Sequence, residues 1–172
     1  HMPTSGKSVK FESEWTGGDS KLARVNPYEA ERFVSLAVRR GNKVKYTGQA
    51  ASGKRAYAVG SHIATDARTG PATVVHELGH VLESNNPALL QAALRFRNRR
   101  TQGETPIPIR AGSREMSLSD KFARIYTGKI YKGNQASEIT STFLEDLYRN
   151  PSRVSGDADF LAEMAFILGW GQ

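Results

Sequence analysis

The sequence predicts an α+β domain, mainly helical, with a small twisted β-sheet beside one central helix. Three observations predict it. Segments of helical period with start and stop signals recur from residue 26 to residue 168. Two alternating stretches, 43–47 and 55–65, read as strands. The 172 residues are 38% hydrophobic and 24% charged, a balance that supports one self-sufficient core.

In chain order, residues 2–22 are polar and rich in Gly and Ser, with a turn at Gly17-Gly18-Asp19. Residues 1–23 are therefore expected to be a flexible segment, beginning with His1-Met2 as the scar of a cleaved tag. A single domain is expected over 24–172. Asn26-Pro27-Tyr28-Glu29 starts a helix: Asn26 can cap, Pro27 suits the first position and Glu29 can reach back. Its buried stripe is Phe33, Leu36, Ala37 and Val38, and Gly41 ends it. Val44 and Tyr46 share one face of the next strand, and 48–53 reads as a hairpin connection to 55–65, which Gly60 breaks. Pro71 opens a helix that runs to Glu83, and Asn85-Asn86-Pro87 both stops it and starts another over 87–98. That helix buries Leu89, Leu90, Ala93, Leu94 and Phe96. Residues 101–117 form a long irregular segment, a length that often carries function. Residues 135–148 are helical by period, and Ser155 caps a last helix to residue 168.

Composition excludes several chemistries. With no cysteine, there is no disulfide, iron–sulfur cluster, thiolate zinc site or cysteine nucleophile. The net charge of +7 permits a nucleic-acid or anionic partner without demanding one. The densest basic cluster, Arg95, Arg97, Arg99 and Arg100, reads as the solvated end of an amphipathic helix. No aromatic ladder accompanies it, so nucleic acid is not the expected partner. No apolar run reaches the ~18 residues of a membrane span, and none resembles a signal core. The compartment stays open.

One motif carries chemistry. His76-Glu77-Leu78-Gly79-His80 matches H-E-x-x-H. Residues i and i+4 lie one turn apart on one helix face, so both imidazoles can meet one ion. Neutral imidazole is a good Zn²⁺ ligand. Glu77, beside the first histidine, is placed to act as general base toward water. Gly79 costs about 1 kcal/mol against alanine inside a helix. Its missing side chain would let another backbone or a substrate come close.

A catalytic zinc needs a third protein ligand. The metzincin pattern puts Gly and His three and six residues after the second histidine. Glu83 and Asn86 stand there, so that pattern is excluded. His62, in the strand upstream, reads as structural or substrate-facing. A carboxylate on a later helix remains. Glu138, Ser141, Thr142 and Glu145 fall at i, i+3, i+4 and i+7, a polar stripe opposite Ile139, Phe143 and Leu147. We expect Glu138 as the ligand and Glu145 as a partner that orients a histidine. Glu145 and Glu163 are the alternatives for the ligand. A hydroxyl from Tyr126 or Tyr131 can stabilise an oxyanion, and Tyr131 is nearer the ligand helix.

The motif, with Ile125-Tyr126-Thr127-Gly128-Lys129-Ile130-Tyr131, Ser137-Glu138-Ile139-Thr140-Ser141, Leu147-Tyr148, Asn150-Pro151 and Asp159-Phe160, resembles the zincin-type domain of phage minor head proteins and of toxin-like modules linked to them. The likeness runs from about residue 57 to residue 168. It implies a gluzincin arrangement with Glu138 as third ligand, a metallopeptidase activity and a protein or peptide substrate. A toxin or effector role, or a place in a phage or secretion particle within a larger parent polypeptide, goes with it. The competing expectation is a non-catalytic, zinc-stabilised module that binds nucleic acid or capsid protein.

Overall fold

Residues 10–16, KFESEWT, alternate between exposed and half-buried and form strand β1 (Lys10–Thr16). In this computed structural model, which describes residues 6–53 and 55–171, β1 pairs in parallel with β2 (Lys43–Gln49) along its whole length. A parallel pair needs a crossover, and α1 (Asp19–Val25) and α2 (Pro27–Ala37) supply it. Within the segment up to residue 23 that is expected to be flexible, residues 10–16 are strand and residues 19–23 are helix. Trp15 packs its ring on Gly48, where a Cβ would fall against the indole. Its Nε1 donates to the Tyr46 hydroxyl at 3.1 Å, and Tyr46 donates to Glu31 at 2.6 Å. A strand with one polar face and one half-covered face has the composition of a linker, which is why it reads as one. The expected tag scar, His1-Met2, lies outside the described residues.

Asn26 caps α2 as expected, accepting from the Glu29 amide at 3.3 Å and donating its Nδ2 to the Glu29 carboxylate at 2.7 Å. The helix ends at Ala37 rather than Gly41, and it buries Ala30, Val34 and Ala37 while Leu36 stays 65% exposed. Of the expected stripe, Ala37 and Val38 are buried and Phe33 packs against the core, and only Leu36 turns outward.

The sheet order is β1-β2-β4-β3, with β4 (His62–Ala64) parallel to β2 and β3 (Tyr57–Val59) antiparallel to β4 at the edge. The hairpin is therefore β3–β4 around Gly60-Ser61, not the 48–53 connection. The class is α+β and the sheet is small and mixed.

Helix α3 (Pro71–Asn85) buries Val74, Val75, Leu78 and Val81 and touches β3, β4, α2, α4 (Pro87–Arg100) and α5 (Ile139–Arg149). Asn86 caps α4 by accepting from the Leu89 amide at 3.2 Å. The long segment after α4 holds only the two-residue ladder β5 (Ile107–Pro108) with β6 (Met116–Ser117). Helix α5 starts at Ile139, four residues later than its period suggests. Ser155 does not cap the last helix. Pro151 starts the separate turn α6 (Pro151–Ser155), and Asp157 caps α7 (Ala158–Ile167), accepting from the Phe160 amide at 3.0 Å. Phe143 of α5 packs on Phe160 and Trp170. Each fully buried side chain of this size contributes about 1.5–3 kcal/mol, so α7 and Trp170 back α5 on its apolar side.

Candidate metal centre

The metal-site candidates sit where α3 crosses the start of α5. His76 and His80 lie one turn apart, as their spacing requires, and both direct Nε2 at one oxygen of Glu138. The distances to Oε2 are 3.1 Å from His76 and 3.3 Å from His80. One ligand atom from each of the three residues lies within 4.8 Å of the other two. Two imidazole nitrogens and a carboxylate oxygen are a set that could hold a metal ion.

Glu138 is not within the helix, as its stripe suggests, but is the N-cap residue of α5, with φ −102° and ψ 4°. It is fully buried. Its carboxylate also accepts from Ser141 Oγ at 3.0 Å and from the Tyr131 hydroxyl. The stripe is buried rather than solvated: Ser141 and Thr142 have no exposed surface, and Thr142 satisfies its hydroxyl on the Glu138 carbonyl. Such groups are tolerated in a core only when bonded.

Glu145 takes the orienting place expected of it. His76 Nδ1 bonds Glu145 Oε2 at 2.9 Å, which holds the ring with Nε2 toward Glu138. Sequence reasoning missed Arg124, which donates to Glu145 at 3.0 Å and to Asp146 at 3.0 Å. It comes from an irregular stretch with no period to flag it. Burial pushes the Glu138 carboxyl up, but the two imidazoles win and hold it below the usual carboxylate range. Burial pulls His76 down, but Glu138 and Glu145 win and raise it. Glu77, 6% exposed, is pushed up by burial.

The site opens on a cleft of about 1090 Å³ lined by Tyr57, Glu77, Tyr126, Lys129 and Tyr131, among others. Lys129 Nζ lies 4.6 Å from the Tyr131 ring centre and pairs with Glu115 at 2.7 Å. Tyr131 stands beside His80 and Tyr126 beside His76, so both candidate hydroxyls reach the cleft. Compared with known protein families, characterised proteins and solved structures, the chain gives no match.

Other expectations fall elsewhere. His62 bonds Thr47 Oγ1 through Nδ1 at 2.8 Å in the sheet and does not line the cleft. Glu163 faces Arg99 at 3.8 Å on the surface, away from the histidines. The basic end of α4 is largely paired rather than simply solvated. Arg100 meets Asp157 at 3.0 Å and Asp120 at 2.6 Å, Arg99 meets Asp159 at 2.9 Å, and Arg97 is buried. Among the described residues, no helix is long and apolar enough to cross a membrane.

Removing the Glu145 charge should weaken metal binding without abolishing it. Glu145→Gln is expected to lower affinity about tenfold. Titration of the chelator-stripped variant against a chromophoric competitor reads this directly, and unchanged affinity would rule out the orienting role.

Proposed function

We propose that this chain is a zinc-dependent metallopeptidase of gluzincin type, folded as a zincin-like domain. The observation that carries the reading is the convergence of His76, His80 and Glu138 beside a buried Glu77, at the floor of an open cleft. Zn²⁺ fits this donor set by its preference for imidazole and carboxylate ligands. His76, His80 and Glu138 would hold it. When bound, it would polarise a carbonyl and bring the pKa of water to about 7.

The chain's own groups do the rest. Glu77 takes the proton from the attacking water and delivers it to the leaving amine. The Tyr131 hydroxyl, which gives its one proton to the Glu138 carboxylate, would have to turn from it to donate to the oxyanion. Glu145 holds the His76 ring. Among the described residues, edge strand β3 has one side unpaired within the sheet, so an extended peptide can add to it as a further strand. Tyr57 and Val59, 40% and 70% exposed, would meet its side chains. The setting we propose, a toxin or effector module or a part of a phage or secretion particle, follows the sequence resemblance.

The test is metal content by mass spectrometry on chelator-free protein, wild type beside Glu138→Ala, followed by a peptide library. About one zinc per chain in wild type, lost in the variant, with library cleavage by the wild type, is expected. A wild type that takes up no metal overturns the reading. Zinc bound with no cleavage favours the non-catalytic binding module instead.

A further inference from the structure

Glu83 lies one turn beyond His80 on α3 and is 3% exposed. No step above uses it. Among the described residues it forms no ion pair. Both its oxygens go to one residue: Oε1 accepts from Ser137 Oγ at 2.6 Å, and Oε2 accepts from the Ser137 amide at 3.1 Å. Taking a carboxylate out of water is costly even where the charges of His80 and Arg97 act on it, so a bidentate grip on a single serine is a demanding use of a buried acid.

Ser137 precedes Glu138. Its hydroxyl donates to Glu83 and accepts from the Ile139 amide at 3.2 Å, so it spans the backbone on both sides of Glu138. Glu138 itself sits off the helix, at φ −102° and ψ 4°, where no regular α-helical geometry fixes it. We propose that Glu83 is a positioning residue for the metal site, which clamps the Ser137–Glu138–Ile139 corner and so sets the distance from Glu138 to the two histidines. One helix then carries both imidazoles and the brace for the third ligand. The working motif extends from H-E-x-x-H to H-E-x-x-H-x-x-E. This inference rests on the metal-site reading above.

A brace that acts only on folding and one that acts on ligand geometry differ in what they move. Glu83→Ala, Glu83→Gln and Ser137→Ala are compared with wild type for Zn²⁺ affinity, for the visible spectrum of bound Co²⁺, and for melting of the metal-free protein. Glu83→Ala is expected to lose about 10- to 100-fold in Zn²⁺ affinity and to alter the Co²⁺ spectrum. Glu83→Gln, which keeps an acceptor for the serine, should recover most of the affinity. If the alanine variant does not fold, Ser137→Ala carries the test, with a loss of about tenfold expected. Folded variants with wild-type affinity and spectrum overturn the positioning role while leaving the site intact. A wild type that binds neither ion overturns the site reading and this inference with it.

Discussion

Glu77→Gln is expected to keep its zinc and lose about 10³-fold or more in kcat/KM. The substitution is nearly isosteric, so the helix and the histidines on either side of it keep their places. What it removes is the acceptor for the proton of water. The amide is also neutral, so the cleft loses a negative charge next to His76 and His80. Neither change touches the three groups that converge at the candidate metal site. Metal analysis and turnover of a substrate found in the peptide library must therefore separate, with one zinc per chain and almost no cleavage. If turnover survives with metal bound, Glu77 is not the base, and the burial of its carboxyl has another reason. If the metal is lost too, the variant has damaged the site and says nothing of proton transfer. Glu77→Asp then distinguishes them, because it keeps the charge and draws it back by one methylene.

The two halves of this site were unequally legible in the sequence. The histidines follow from helical spacing, which depends only on neighbours four residues apart. Pro71 and Asn86 mark the limits of that helix, and α3 runs nearly as expected. Glu138 was found by the same logic applied to a polar stripe, yet it lies one residue outside its helix. The period could not show this, because a cap residue and a first-turn residue sit on nearly the same face. Glu83 and Arg124 left no local signal. Their partners are 54 and 21 residues away, and only tertiary packing makes those pairs. Strand β1 was missed for a related reason. Its alternation KFESEWT becomes a signal only once β2 supplies a surface for Phe11 and Trp15. The short run 48–53 suggested a hairpin because local turns explain short connections. A parallel β2–β4 pair needs knowledge of where β3 goes.

Gly79→Ala should damage the molecule, because the backbone of α5 crosses directly over this glycine. In an exposed helix the change would stabilise by about 1 kcal/mol. Here a Cβ would stand 2.5 Å from Ser141 Cα and 2.9 Å from Ser141 N. Both are backbone atoms of α5, so no rotamer change relieves the contact. The helices must move apart by about 1 Å to restore an ordinary carbon–carbon separation of 3.5–4.0 Å. That movement opens the core around Leu78, Phe143 and Leu144, all with no exposed surface. Overpacking of this kind costs about 3 kcal/mol, which outweighs the gain in helix propensity. Denaturant titration of the metal-free protein should show the midpoint fall. The same movement draws Glu138 and Glu145, one at the cap of α5 and one inside it, away from His76 and His80 on α3. Zinc affinity should drop along with stability. Glycine is thus required at this place in the motif by the approach of the ligand-bearing helix, and not by its own backbone angles. An alanine variant as stable as wild type would mean that α3 and α5 do not pack this closely, and the convergence of the three ligands would go with that contact.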